Sequence, residues 1–151
     1  MTPHSTIVVG VDGSESSLDA LRYALAEGVR RRATVIVARA FDPPGEWGRV
    51  YGVVRPPDVE TLTRNVDTAT WQLVHSEIDR ASQSAPDVDV VAVPGSAADV
   101  LIEQAGHADL LVVGHRGPGG VAATLLGSVA LRCVLHAPCP VTVVRPATAS
   151  L

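Results

Sequence analysis

Residues 110–117 read Leu110-Leu-Val-Val-Gly-His-Arg-Gly117, and after nine intervening residues Gly127-Ser128 opens a helical pattern that runs to Leu135. A short apolar run without polar alternation is the signature of a strand covered on both faces. The run stops at a glycine, and the next periodic segment is a helix. Strand, glycine-bearing loop and helix make up half of a βαβ unit. Four other segments share the strand character: Ile7-Val-Val-Gly-Val11, Val35-Ile-Val-Ala38, Val88 to Val93 and Val141-Thr-Val-Val-Arg145. Pro140 and Pro146 bracket the last of these, which suits a strand at a sheet edge.

Helical patterns lie between the strands. Ser14, Ser16 and Ser17 offer N-caps for the first, and Ser16 with Asp19 resembles a capping box. Leu18, Leu21, Leu25 and Val29 then line one face, and Arg30-Arg-Arg32 sits where the helix dipole favours cations. A second helix is expected over Asp58–Ser84, with Leu62, Val66, Ala69 and Leu73 on its apolar face. A third spans Ala97–Ala105 and a fourth Ser128–Leu135. Strands alternating with helices define an α/β, doubly wound parallel sheet with helices on both faces. The proline- and glycine-rich stretch Asp42–Pro57, which also holds Trp47 and Tyr51, has no period and reads as a lid, a partner contact or a plain surface loop.

The chain has 151 residues, 46% apolar and 19% charged. That fits one globular domain spanning residues 1–151 and excludes disorder as the main state. No apolar run approaches the roughly 20 residues of a membrane helix. The start, Met1-Thr-Pro-His-Ser5, lacks the basic and apolar regions of a secretory signal, so a cytoplasmic protein is expected. Two cysteines do not make a disulfide scaffold. A net charge of −4 argues against a nucleic-acid surface. All 12 basic residues are arginine. No acid follows Asp109, whereas Arg116, Arg132 and Arg145 do, so the last third of an acidic chain tolerates an anion.

In an open parallel sheet ligands bind beyond the carboxyl ends of the strands, where strand order reverses. The residues to inspect are therefore Asp12-Gly13-Ser14, Arg39-Ala40, Pro94-Gly95-Ser96 and the segment Gly114–Ser128. In the last of these, glycines permit close backbone approach and a helix N-terminus presents free N–H groups. Ser128 adds a hydroxyl. Together they form a nest for phosphate oxygens, against the alternative of an ordinary loop with a capping serine. A P-loop is excluded, because it requires a lysine. Gly117-Pro-Gly-Gly-Val-Ala122 matches the loose dinucleotide pattern, but it follows the wrong strand and no ribose-binding acid comes after it. Cys133-x2-His136-x2-Cys139 lacks the fourth ligand of a closed zinc site, so buried core cysteine is the better reading. His115 has no nucleophile paired to it in sequence and reads as a loop histidine.

The spacing Gly114-x2-Gly117-x9-Gly127-Ser128 resembles the ATP-binding motif of the universal stress protein family. The likeness runs nearly end to end, through Ile7-Val-Val-Gly-Val-Asp-Gly-Ser14, Gly95-Ser-Ala-Ala-Asp-Val100, Ala108-Asp-Leu-Leu-Val-Val-Gly114 and Ala137-Pro-Cys-Pro-Val-Thr-Val-Val144. It implies a five-stranded parallel sheet in the order 3-2-1-4-5. It also implies an adenine nucleotide, ATP in many members and often with Mg2+ on its phosphates. Val11, Asp12 and Ser14 would meet its ribose or adenine end, with Ala40 against the base. Gly114, Arg116, Gly117, Gly127, Ser128, Val129 and Ala130 would surround ribose and phosphates. A homodimer joined through the last strand is implied too.

Two positions depart from the family pattern. His115 stands where Ser or Thr is frequent, and Ala130 where a hydroxyl residue can occur. The resulting expectation is a cytoplasmic, nucleotide-binding stress-response regulator without catalytic residues. A slow ATPase using Asp12 with a divalent ion and a nucleotide-free dimeric interaction module are the alternatives.

Overall fold

The structure, a computed structural model, describes residues 4–45, 52, 58–82, 84–116 and 126–146. Most of the stretch Asp42–Pro57 lies outside these residues, as does Gly117. Five strands, β1 (Thr6–Gly10), β2 (Thr34–Phe41), β3 (Val88–Pro94), β4 (Leu110–Gly114) and β5 (Val141–Val144), pair in parallel in the order β3-β2-β1-β4-β5. The order reverses between β1 and β4. Helices α1 (Glu15–Arg31), α2 (Val59–Ala81), α3 (Ala97–Gln104) and α4 (Ser128–His136) connect them, with a 3-10 turn at Ala105–His107. The five-stranded, doubly wound reading holds.

The two-sided burial follows from the strand sequences. Side chains alternate across a sheet, so an uninterrupted apolar run feeds two cores at once. Ile7, Val9, Val35, Val37, Leu110 and Val112 pack under Leu21 and Leu25 of α1 and Val74 of α2. Val8, Ala38, Leu111 and Val113 pack on the opposite face with Leu101 of α3 and Ala130 and Cys133 of α4. Cys133 is thus a core residue, while His136 is exposed.

Three local expectations need correction. The cap of α1 is Ser14, whose Oγ accepts from Ser17 N–H at 3.2 Å, so the Ser16–Asp19 box does not form. Ser16 lies inside the first turn instead. Val29 is 40% exposed, leaving the apolar face of α1 to Ala20, Leu21, Ala24 and Leu25. On α2 the buried residues are Leu62, Thr70, Val74 and Glu77, and Ala69 is exposed. Polar residues hold this face because their polarity is satisfied locally. The Thr70 hydroxyl donates to Val66 C=O at 2.7 Å. The Glu77 carboxylate accepts two bonds from Arg22 of α1, at 2.7 and 3.2 Å. A hydropathy pattern cannot register either arrangement.

Element ends differ modestly. β2 extends to Phe41, because Arg39 and Ala40 continue the ladder against Ala92 and Val93. β1 ends at Gly10, although Val11 N–H still reaches Ala38 C=O at 3.0 Å.

The position of the α2 face is open to a direct test. Ala69→Glu should change stability by less than about 0.5 kcal/mol. Thr70→Glu, which buries an unpaired carboxylate, should cost about 3 kcal/mol or more in urea unfolding.

Candidate functional site

Two connections leave the sheet side by side at the reversal point. From β1 the chain runs through Val11, Asp12, Gly13 and Ser14 into α1; from β4 it runs through Gly114, His115 and Arg116 towards α4. Val11 is buried and Asp12 exposed. Asp12 Oδ1 accepts from Ser14 N–H at 2.8 Å, and Asp12 N–H donates to Ser17 Oγ at 3.2 Å. Gly13 takes φ +86°, a conformation that side-chain-bearing residues rarely adopt. Asp12 thus helps to set the shape of this turn through one carboxylate oxygen. Arg39, at the end of β2, brings a guanidinium nitrogen within 3.7 Å of where a Gly13 Cβ would sit. Ala40, half-buried, follows it on the opposite face of the strand.

The end of β4 meets the first turn of α1 directly. A Cβ on Gly114 would stand 2.6 Å from the carbonyl oxygen of Ser16, so glycine is required there. This approach brings Ser16 Oγ to the β4 loop. It accepts from Arg116 N–H at 3.2 Å and lies 3.3 Å from His115 Nδ1. Arg116 Nε–H donates to His115 Nε2 at 3.0 Å. His115 also binds through its backbone: its N–H donates to Val144 C=O at 3.1 Å, and its C=O accepts from Gly127 N–H at 2.7 Å. The residue read from sequence as a loop histidine is 7% exposed and joins α1, β5 and the start of α4. Its role escaped the sequence because the partners Ser16, Gly127 and Val144 are distant along the chain.

Helix α4 starts differently from the others. Ser14, Asp58 and Ser96 cap α1, α2 and α3 with side-chain oxygens. α4 starts at Gly127 with no side-chain cap. The first N–H groups of a helix lack intrahelical acceptors and carry the positive end of its dipole. Among the described residues no side chain caps those of Ser128, Val129 and Ala130, which suits them to an external acceptor. Ser128 is exposed, whereas the Ala130 methyl is in the core, so Ala130 could meet a ligand only through its backbone. Gly114, Arg116, Gly127 and Ser128 are thus gathered in one place, next to Val11, Asp12 and Ser14.

Among the described residues no group of three or more His, Cys, Asp or Glu side chains could hold a metal ion. A separate cleft of about 770 Å³ lies between α1 and α2, lined by Leu25, Val29, Ile78 and the Arg22–Glu77 pair. Its residues precede β2 and β3, so it opens at the amino ends of the strands.

Residues 4–145 match the family model of the universal stress protein family. The chain belongs to that family. A universal stress protein from Thermus aquaticus, encoded in the QAH/OAS sulfhydrylase 3′ region, is 32% identical over 142 residues, covering 93% of this chain and 98% of that protein. The solved structure of a universal stress protein in complex with cAMP is 30% identical, with a TM-score of 0.65 over 95% of this chain and 98% of that one. A universal stress protein from Archaeoglobus fulgidus in complex with dAMP shares the fold, at 21% identity and a TM-score of 0.62 over 95% of this chain and 98% of that one.

In this universal stress protein the His115 ring is held below its usual pKa of 6.5. Burial is the main cause, followed by the charges of Arg116 and Arg145; Asp19 and the Val144 carbonyl oppose them. A histidine whose folded pKa is depressed contributes stability that is complete above its ordinary value and is lost as pH falls through the lower folded value. The melting temperature of the wild type should therefore drop more between about pH 7 and about pH 5 than that of His115→Gln, which does not titrate. Parallel pH dependences in the two proteins would contradict this.

Proposed function

We propose that this universal stress protein binds an adenine nucleotide at the carboxyl ends of β1 and β4 and works as a cytoplasmic stress-response regulator rather than as a developed enzyme. The observation that carries the reading is the uncapped start of α4, tied through Gly127 to His115 with Arg116 beside it, in a stretch free of acids. Phosphate oxygens are the natural acceptors for such donors. The cAMP complex of a relative at 30% identity supports the class of ligand.

In this reading Val11, Asp12, Ser14 and Ala40 meet the adenosine part. Gly114, Arg116, Gly117, Gly127 and Ser128 surround the phosphates, with the backbone N–H groups of Val129 and Ala130. The donor set fits a phosphate group. ATP is the expected ligand, and Mg2+ would neutralise charge on its phosphates. Among the described residues no group near Arg116 is arranged to orient an attacking water, and slow hydrolysis at most is the expectation. Among the described residues no helix is long and apolar enough to cross a membrane.

A second reading concerns assembly: a homodimer formed through β5. All four residues of β5 are half-buried at the open edge of the sheet. Beside it α4 exposes Leu131, Val134 and Leu135 at helical spacing. An unpaired apolar edge is a ready template for a second strand.

Calorimetric titration of nucleotide-stripped protein with ATP, ADP, AMP and cAMP, with and without Mg2+, tests the site. Ser128→Asp suits the start of a helix but repels a phosphate, so it should weaken ATP binding about tenfold or more while leaving the melting temperature unchanged or higher. No heat with any nucleotide would sink the reading. The dimer is tested by sedimentation of wild type and Val143→Pro. The carbonyls of Pro140 and Val144 face β4, so the backbone groups of Val143 point to the free edge. The variant should sediment as a folded monomer.

A further inference from the structure

Arginine stays protonated in proteins, so the contact between Arg116 Nε and His115 Nε2 has only one polarity. Arg116 donates and the imidazole accepts, which leaves the ring proton on Nδ1, directed at Ser16 Oγ. Ser16 Oγ also receives Arg116 N–H. Backbone and side chain of Arg116 are thereby both held, by a serine of α1 and the buried histidine that follows β4. Among the described residues nothing pairs with the two terminal nitrogens of this guanidinium. A free arginine must surrender rotamer freedom when it grips an anion, whereas one already held at Nε has surrendered it beforehand. The terminal nitrogens form a fork suited to phosphate oxygens.

We propose that His115 is a positioning residue for Arg116: it anchors the guanidinium through Nε and presents the terminal fork to the phosphate of a ligand at the start of α4. The role rests on the nucleotide reading above and deepens it. Burial first, then the charges of Arg116 from its loop and Arg145 from beyond β5, favour the neutral ring that the anchor needs, against Asp19 from α1 and the Val144 carbonyl. The discrimination falls on the phosphate and leaves the nucleoside part of the ligand alone.

The experiment compares ADP with adenosine by calorimetry on the full chain. His115→Phe keeps a planar aromatic ring, somewhat larger, but cannot accept a hydrogen bond, and should weaken ADP about tenfold with adenosine unchanged. His115→Gln retains an acceptor oxygen and should restore the wild-type ratio. Arg116→Lys keeps the charge and the native His115 but has no Nε to anchor, so it should lose the ratio as well; it carries the test if His115→Phe does not fold. Independently of any ligand, ring nitrogen shifts in the wild type should report protonation on Nδ1. An unchanged ADP-to-adenosine ratio in His115→Phe or Arg116→Lys, or a ring protonated on Nε2, would overturn the role while leaving the nucleotide site standing. A wild type that binds neither ligand would overturn both.

Discussion

The first turn of α1 rests on the end of β4, with the backbone of Ser16 where a side chain on Gly114 would have to go. Everything at the carboxyl edge of the sheet depends on that approach. It puts the Ser16 hydroxyl within reach of His115 and Arg116. It sets the two diverging connections shoulder to shoulder at the point where strand order reverses. The crevice of an open parallel sheet exists because helices depart to opposite faces there. In this chain the gap is closed on one side by direct backbone contact, and a small set of polar groups fills what remains.

The sheet explains why these groups can be held so firmly. Each inner strand is apolar on both sides, and the two cores meet through it. Close-packed interiors resist displacement, so strand ends are rigid mounting points. β4 is buried over Leu110–Val113 and delivers His115 into a pocket roofed by α1 and flanked by β5. The surrounding arginines then act on a group that water cannot shield.

The strands and the alternation of helices were legible in the sequence because a buried parallel strand needs little more than an apolar run between turn residues. The strand order came from resemblance to the family; periodicity does not contain it. Hydropathy misplaces a buried face where polar residues behave as apolar ones. Thr70 satisfies itself on its own helix, and Glu77 is neutralised by Arg22 from another element, so neither marks its position by hydropathy. Ser14 and Ser16 are indistinguishable as caps until the backbone turn at Gly13 is known. Of the candidate site, Gly114, Gly127 and Ser128 were visible as a spacing and Arg116 as the cation between them. Ser16 and the buried His115 were not, because their meaning lies in partners on other elements.

The hydrogen bonds of His115 also bear on the order in which the molecule assembles. Its ring reaches back 99 residues to Ser16, while its backbone reaches forward to Gly127 and Val144. Contacts of such wide sequence separation are made late, after the loops between them have closed. A growing chain that has completed β1, α1 and β4 still lacks the strand that receives the His115 amide. The loop that carries His115 to the start of α4 is therefore fastened at both ends only once β5 has joined the sheet, so the candidate ligand site is a late product of folding.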